Sequence, residues 1–255
     1  MLYNSAKLCK LAYLDPVTLD SMKKSVITPI FHTCQVSGAD AYTWWCDKEK
    51  EMTLVFRGTK GRKDLIKDID IRQLSMYNNN GLKIHVHRGF LEQFLSIERS
   101  LMKELEAHPD ISKLTFTGHS LGAALASIAA SKIKANTGIP TNLHTFGSPR
   151  VGSKEFSIWS RSVLDVHKRV VHKQDPVGRV PTTWYYHHIG GDYILFDDEN
   201  RYKIMKKDPP YLRRLYNILT KTDITNPIED HSMNRYVEFA QTVGDVDMKT
   251  SNSEL

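Results

Sequence analysis

A serine flanked by glycines is the first group in this chain whose type and spacing could do chemistry. It lies in the run Gly118-His119-Ser120-Leu121-Gly122. A strand that turns sharply into a helix through Gly-x-Ser-x-Gly holds the serine in a strained conformation, which only small flanking residues allow. Such a turn, called a nucleophile elbow, directs the serine oxygen and the first helix amides toward the same point. Ser120 is therefore predicted to be the nucleophile of an acyl-transfer reaction.

The neighbouring segments favour an elbow over an ordinary strand-to-helix turn. Leu114-Thr115-Phe116-Thr117 alternates with a period of two, which is typical of a strand. Residues 121–134 are rich in Ala and Leu, and Ile128 and Ile133 continue an apolar face, as in a helix. Both elements that the motif requires are predicted.

An orienting carboxylate is expected after the serine, because folds built on this elbow place first the acid and then the histidine later in the chain. Asp175 follows the β-rich run Arg169-Val170-Val171-His172 and precedes Pro176. It is therefore predicted at the carboxyl end of a parallel strand, where the active sites of such sheets lie. The weaker candidates lie in polar or turn-rich segments: Asp165, Asp192, Asp197, Asp198, Asp208 and Asp223.

The general base is predicted to be His231. It follows Asp230 and directly precedes residues 232–237, whose apolar positions have helical spacing. Its competitors are His187 and His188, which lie in a run that is typical of a strand, and a strand histidine is more often a packing residue.

Six ordered blocks in the chain resemble the class 3 lipase family, the fungal-lipase-like branch of the α/β-hydrolases. The resemblance spans roughly residues 40 to 240. The blocks are Val55-Phe56-Arg57-Gly58-Thr59, His87-Arg88-Gly89-Phe90, Thr117-Gly118-His119-Ser120-Leu121-Gly122, Phe146-Gly147-Ser148-Pro149-Arg150-Val151-Gly152, Asp175-Pro176-Val177 with Pro181, and Asp230-His231 with Tyr236.

The resemblance implies roles for particular residues. Ser120 would be the nucleophile, His231 the base and Asp175 its orienting acid. Thr59 and the Leu121 amide would form the oxyanion hole, although a threonine in a turn also commonly bonds its own backbone. His87 would lie near the acyl pocket, with a structural histidine as the alternative.

A short amphipathic segment lies where the family places its lid. Residues 64–71 would put Leu65, Ile66 and Ile69 on one helix face. Such a lid covers an apolar groove in water and opens at a lipid surface. An ordinary surface helix is the alternative.

The fold predicted is an α/β-hydrolase, a central mostly parallel sheet with helices on both faces. We expect one domain over residues 1–243 and a polar, disordered tail over residues 244–255. Helices are predicted over residues 3–13 and 88–105, and a hairpin over residues 41–46 and 52–56. Later strands are predicted over residues 143–146, 168–172 and 185–189.

Cysteine usage and the N-terminal segment predict an intracellular protein without cofactors. The chain has three cysteines, Cys9, Cys34 and Cys46, and an odd number cannot all pair within one chain. Their spacing is not that of metal ligands, so we expect neither a disulfide framework nor a metal site. Charged residues interrupt the first apolar run, which argues against a secretory signal. The chain has no Asn-x-Ser/Thr acceptor.

A net charge of +6 and a pI near 9.1 raise the question of an anionic partner. The basic residues occur in short sets without interleaved aromatic residues, so nucleic-acid binding is not expected. Transient contact with a membrane or lipid-droplet surface fits better, with solvated surface charge as the alternative. The sequence does not indicate the oligomeric state.

The substrate class is implied by the resemblance alone, and it is a glycerolipid ester, most simply a tri- or diacylglycerol. A phospholipase A1 or another carboxylesterase could use the same groups. A non-catalytic lipid- or protein-binding scaffold is the alternative of a different class. Its usual mark is a missing triad residue, and here all three are present.

Overall fold

The computed structural model describes residues 1–14, 18, 29–59, 71–181, 184–206 and 227–244. The predicted lid over residues 64–71 lies outside this part of the chain except for Ile71, which is exposed. Residues 245–255 of the predicted tail also lie outside it, and so do the basic residues at 60–63 and 213–214. The interpretations of these segments stay predictions.

Strands and helices alternate through the middle of the chain. The strands are β1 (Ile30–Cys34), β2 (Ala39–Cys46), β3 (Glu51–Phe56), β4 (Gln73–Tyr77), β5 (Lys83–His87), β6 (Lys113–His119), β7 (Thr141–Phe146), β8 (Val166–His172), β9 (Asp192–Phe196) and β10 (Tyr202–Met205). The helices are α1 (Leu2–Leu11), α2 (Arg88–Glu106), α3 (Leu121–Thr137), α4 (Lys154–Val163), α5 (Pro227–Asp230) and α6 (Met233–Val243), with a 3-10 turn at Val177–Arg179.

Eight of these strands form one sheet in the order β1-β2-β3-β6-β7-β8-β9-β10, and β4 pairs with β5 in a separate hairpin. The central strands β3, β6, β7, β8 and β9 are parallel to one another. The outer pairs β1–β2, β2–β3 and β9–β10 are antiparallel. The mostly parallel sheet predicted from the sequence is confirmed.

The sheet has a hydrophobic core on each face, because side chains alternate along its strands. In β3, Leu54 and Phe56 pack into the core that also contains residues of α2, α3 and α4. Val55 lies between them and packs into the opposite core with residues of α1 and α6. Helices therefore cover both faces, as in a three-layer α/β protein. The single domain predicted over residues 1–243 stays a proposal, which this shared sheet supports.

Helix α3 is buried along most of its length, from Gly122 to Ser131. Its alanines are small enough for close packing against the sheet, and they favour a helix intrinsically. Two serines in this helix avoid an unmet donor by bonding the backbone one turn earlier. Ser127 Oγ donates to the Ala123 carbonyl at 2.7 Å, and Ser131 Oγ donates to the Ser127 carbonyl at 2.8 Å.

The strand predicted over residues 185–189 is wrong. In the structure, Trp184 and Tyr185 are 81% and 74% exposed, and only His187 makes a single bridge, to Gly152. The strand after β8 is β9, which begins at Asp192. Aromatic residues favour a strand only where they can pack against neighbouring side chains, so the strand propensity of this segment did not predict its structure.

Within the described residues, the helices and the other strands predicted from periodicity are confirmed, with ends shifted by a few residues. Among the described residues, no helix combines the length and apolar character needed to cross a bilayer.

Candidate active site

Ser120 lies at the turn between β6 and α3, as the elbow interpretation predicted. Its backbone has φ 60° and ψ −129°, a region that a non-glycine residue occupies only under strain of about 1–3 kcal/mol. Its amide donates to the Phe146 carbonyl at 3.0 Å, which ties the turn to the neighbouring strand β7. Surrounding structure thus holds the serine in a conformation that it would not adopt by itself.

The two flanking glycines are required by close backbone contacts. A methyl group at Gly118 would overlap the Gly122 carbonyl, and one at Gly122 would overlap the Phe56 carbonyl at the end of β3. The first turn of α3 therefore lies directly against the end of β3. Small residues at these two positions let the helix approach the sheet closely enough to bring Ser120 to its edge.

His231 and Asp175 form a buried pair at the same edge of the sheet. His231 Nδ1 lies 2.8 Å from Asp175 Oδ2, and both side chains are almost fully buried. A carboxylate accepts but does not donate, so Nδ1 carries the proton and Nε2 presents its lone pair. Among the described residues, Nε2 has no hydrogen-bond partner, and Ser120 Oγ is thus not bonded to it.

The Asp175 carboxylate is held by two further donors. The Val177 amide donates to Oδ1 at 2.8 Å, and the Tyr236 hydroxyl donates to Oδ2. Tyr236 also accepts a bond from the His172 amide at 3.2 Å. Burial, and then the nearby Asp175 charge, raise the pKa of the Tyr236 phenol well above its usual value, so it remains a donor. These contacts fix the orientation of the carboxylate toward His231.

Gly147 links the serine turn to the acid–histidine pair. It follows Phe146, whose carbonyl binds the Ser120 amide, and a Cβ on it would lie 2.7 Å from Asp175 Oδ2 and 2.9 Å from His231 Cε1. Ser120 and Asp175 thus follow the ends of β6 and β8, and His231, from the loop between α5 and α6, meets them at this edge of the sheet, although 56 residues separate it from Asp175.

His119 joins the elbow to the segment that carries His231. Its Nε2 donates to the His231 carbonyl at 2.9 Å, and its Nδ1 accepts from the Tyr13 hydroxyl at 2.7 Å. The rings of His119 and His231 are stacked with their centroids 4.5 Å apart. This histidine therefore positions the base through its hydrogen bonds as well as its packing.

The residues predicted for the oxyanion hole lie at the ends of two neighbouring elements. Leu121 begins α3, where the first backbone amides have no partner within the helix. Thr59 is exposed and follows β3, whose end packs against Gly122. The ion pair of Arg57 with Asp40 anchors the chain just before it. The oxyanion roles of Thr59 and Leu121 stay predictions.

His87 caps a helix. It is buried, its ring stacks on Phe90 at a centroid distance of 3.9 Å, and its Nδ1 accepts from the Phe90 amide at 3.4 Å. These contacts agree with the structural alternative, and a place in the acyl pocket stays a prediction.

The competing acids and histidines make other contacts. His188 Nε2 donates to the Gly178 carbonyl at 2.9 Å, and His187 bridges Gly152 through its backbone. Asp208 and Asp223 lie outside the part of the chain that the structure describes. The remaining acids pair with cationic side chains: Asp165 with Lys134, Asp192 with Lys206, Asp197 with Arg201 and Asp198 with Arg235.

Tyr236 contributes to this site, although the sequence analysis assigned no role to it. Its place five residues after His231, on the first turns of a predicted helix, was the available signal. A helical tyrosine at that spacing is usually a core residue, and only the structure brings its hydroxyl to Asp175.

Comparison with known proteins identifies relatives of this architecture. A family model described as Lipase (class 3) matches residues 53–184, just over half of the chain. A secreted mono- and diacylglycerol lipase of Fusarium solani is 31% identical over 163 residues, which are 62% of this chain and 48% of that protein. A lipase of Rhizopus niveus is 34% identical over 157 residues, which are 58% of this chain and 39% of that protein.

A solved structure also matches nearly the whole chain. It is lipase II of Rhizopus niveus, with a TM-score of 0.73 and 25% identity, covering 90% of this chain and 91% of that chain. The similarity confirms the predicted α/β-hydrolase fold. The matched part of this chain spans less than half the length of either sequence relative. One relative is named a secreted lipase, so these relatives give no support to the predicted intracellular location.

Proposed function

The chain belongs to the class 3 lipase family, and from that premise we propose that it is a serine ester hydrolase acting on tri- or diacylglycerols. One observation carries the proposal: a strained serine elbow and a buried histidine–carboxylate pair lie at the same edge of a parallel sheet. Acyl transfer through a serine requires this combination, a positioned nucleophile and a base oriented by a carboxylate.

In the proposed mechanism, His231 Nε2 takes the proton of Ser120 as its oxygen attacks the ester carbonyl. Asp175 fixes the imidazole with Nδ1 protonated and stabilises the imidazolium that forms. His231 then gives the proton to the departing alcohol, and an acyl-enzyme remains. The same histidine activates a water molecule that releases the fatty acid and restores Ser120.

The negative oxygen formed during attack needs donors in place beforehand. The Leu121 amide is proposed as one donor, because it is the first amide of α3 and directly follows Ser120. Thr59 is proposed as the second donor, from the end of β3 on the other side. Loss of one such donor typically costs about 2.7–4 kcal/mol of transition-state stabilisation.

The neutral glycerolipid is favoured among possible esters by the relatives' names, a lipase and a mono- and diacylglycerol lipase. The net charge of +6 supports transient contact with an anionic lipid surface. We keep the prediction that nucleic acid is not a partner, since no basic segment has interleaved aromatic residues.

The test is hydrolysis of emulsified tributyrin and of a phosphatidylcholine with the same acyl chains. Wild type, Ser120→Ala and Ser131→Ala are compared, the last being a buried serine of α3 whose hydroxyl bonds the helix backbone one turn earlier. We expect wild type and Ser131→Ala to release fatty acid, and Ser120→Ala to lose activity by about a thousandfold or more.

The head-group ratio then separates a lipase from a phospholipase, and a preference for phosphatidylcholine would overturn the glycerolipid assignment. Equal activity in wild type and Ser120→Ala would refute the serine mechanism. No hydrolysis of either lipid by folded wild type would favour the non-catalytic scaffold.

A further inference from the structure

Three side chains with metal-ligating atoms converge behind the Asp175–His231 pair. His172 is the last residue of β8, Asp198 follows the end of β9, and Asp230 ends α5 directly before His231. One potential ligand atom from each of the three lies within 4.8 Å of the others. The topology of the sheet thus gathers an imidazole and two carboxylates from distant segments.

His172 is fully buried and directed into this cluster. Its Nε2 lies 3.3 Å from Asp198 Oδ1, and its Nδ1 lies 3.8 Å from Asp230 Oδ1. Within the described part of the chain, neither ring nitrogen makes a hydrogen bond. Buried polar groups nearly always have a partner, so an imidazole placed this way points to a ligand between it and the carboxylates.

A neutral imidazole cannot satisfy both carboxylates by itself. It has one N–H and one lone pair, so with both carboxylates ionised one nitrogen would face a carboxylate oxygen with no proton between them. A cation at the lone-pair nitrogen removes this repulsion. The other nitrogen then keeps its proton for a carboxylate oxygen, the arrangement usual for metal-bound histidines.

The local charge is also suited to a divalent cation. Arg235 is the nearby cationic side chain, with Nη1 2.8 Å from Asp198 Oδ1 and Nη2 3.9 Å from Glu229 Oε1. It offsets one of the two carboxylates of the cluster, which leaves the negative charge of the other for an ion. Arg235 contacts Oδ1, the same Asp198 oxygen that lies 3.3 Å from His172 Nε2, so an ion at this site would share the carboxylate with the guanidinium.

We propose that His172, Asp198 and Asp230 form a binding site for a divalent transition-metal ion of the zinc type. One imidazole and two carboxylates suit zinc, whereas calcium and magnesium prefer oxygen ligands alone. The Asp198 side chain is 44% exposed, so the site opens to solvent on that side and water can complete the coordination.

A cation at this site would join three segments that position the proposed base. Asp230 is adjacent to His231 in the chain, and the His172 amide donates to Tyr236, which in turn donates to Asp175. The ion would therefore hold the segment carrying His231 against the ends of β8 and β9. This role is positional, and binding itself does not depend on the proposed hydrolysis.

The test is calorimetric titration of ZnCl2 into the full chain after treatment with a chelator and its removal. Asp198→Asn is the first variant, because its side chain is partly exposed and its replacement should not disturb the fold. Asp192→Asn is the matched control, a carboxylate at the start of β9 that is 34% exposed and paired with Lys206. We expect one tightly bound zinc ion per chain in wild type and in the control.

Asp198→Asn should weaken zinc binding by at least about tenfold, because an amide oxygen carries no charge. Zinc should raise the melting temperature of wild type and of Asp192→Asn more than that of Asp198→Asn. Absorption of the Co²⁺-loaded protein between 500 and 650 nm should change in Asp198→Asn alone. His172→Gln is a further variant, and its zinc affinity is interpreted only if its circular dichroism spectrum matches that of wild type.

Absence of stoichiometric zinc binding in stripped wild type would overturn the proposal. Equal affinity in wild type and Asp198→Asn would also overturn it, since the zinc would then lie at other histidines. A larger rise in melting temperature with Ca²⁺ than with Zn²⁺ would refute the assignment to a transition metal.

Discussion

Asp175 is the residue on which the proposed site depends most, because it gathers several donors away from water. It accepts bonds from His231, Val177 and Tyr236 while almost fully buried. An ionised carboxylate at such depth is stable only when its oxygens are well paired. The same donors that stabilise the charge also fix its direction, so stability and positioning coincide at this residue.

Replacement of Tyr236 by Phe should test this coupling. The variant removes a donor from Asp175 and an acceptor from the His172 amide, both in the interior. We expect the free energy of unfolding to fall by about 1–3 kcal/mol, the cost of leaving a buried polar group unsatisfied. Urea denaturation followed by fluorescence measures this change.

Tyr185→Phe is the control for the same chemical substitution, because Tyr185 is 74% exposed. It should change the free energy of unfolding by no more than about 0.5 kcal/mol. An equal effect of the two variants would contradict the importance assigned to the Asp175–Tyr236 contact.

At the scale of elements, the nucleophile elbow depends on the close approach of α3 to β3. Gly122 lies against the Phe56 and Arg57 backbone, and Gly118 lies against the first turn of the helix. Backbone atoms cannot move aside as a flexible side chain can. Strain at Ser120 is therefore maintained by contacts between whole elements rather than by the serine itself.

Gly122→Ala is expected to destabilise the protein by about 1–3 kcal/mol or more, because the added methyl overlaps the backbone of Phe56 and Arg57 at the end of β3. Hydrolytic activity should fall with it, since α3 must shift and carry Ser120 along. Thermal unfolding and tributyrin hydrolysis of the same preparation measure both effects.

Gly89→Ala is the matched control. A Cβ at Gly89, in the first turn of α2, would meet its nearest neighbour, the His87 ring, at 3.5 Å, an ordinary contact. Alanine favours a helix by about 0.5–1 kcal/mol over glycine, so stability should be unchanged or slightly higher. Comparable losses in both variants would argue against the close-contact explanation.

At the scale of the whole molecule, two buried histidines connect stability to pH. His144 on β7 hydrogen-bonds Ser5 of α1 at 2.8 Å, and His167 lies on β8 beside the Gly190 carbonyl at 3.2 Å. Burial lowers the pKa of His144 to about 3 and that of His167 to about 4. Both are therefore neutral in the folded protein where the unfolded chain would protonate them.

The free energy of unfolding is expected to fall as the pH decreases from about 6.5 toward 4. In that range the unfolded state takes up protons at these imidazoles and the folded state does not, so acid favours unfolding. Between pH 7 and pH 5 each histidine should contribute a loss of about 2 kcal/mol. Urea denaturation at the two pH values measures the total.

His144→Gln should reduce that loss by about 2 kcal/mol, since glutamine does not titrate but can still bond Ser5. A pH dependence identical to wild type would show that His144 is not the source. Because the variant is compared with itself at two pH values, any general loss of packing cancels.

Local pattern predicted much of this protein correctly. Period-two alternation and apolar helical spacing located most strands and helices, because these patterns follow from local backbone geometry. The glycines around Ser120 predicted an elbow because a sharp strand-to-helix turn is also a local backbone feature. Six ordered blocks predicted the class 3 lipase family, which the family match confirms.

The sequence failed where a segment's structure depends on distant partners. Residues 185–189 have strand-like composition, yet Trp184 and Tyr185 face outward and β9 takes the place beside β8 instead. Tyr236 offered only its place five residues after His231 as a signal, and the three residues of the proposed metal site come from separate segments, whereas the expectation of no metal site rested on cysteine spacing.

The sequence by itself indicated which residues could be nucleophile, acid and base, because their order in the chain and their places beside predicted strands and helices can be read from local pattern. Only the tertiary structure decided that His231 meets Asp175 at 2.8 Å, that Tyr236 supports the acid, and that His172 joins two carboxylates. The reason is physical: hydrogen bonds and ion clusters form between side chains, and only the packing of α5 and α6 against the parallel sheet brings those distant side chains to one edge.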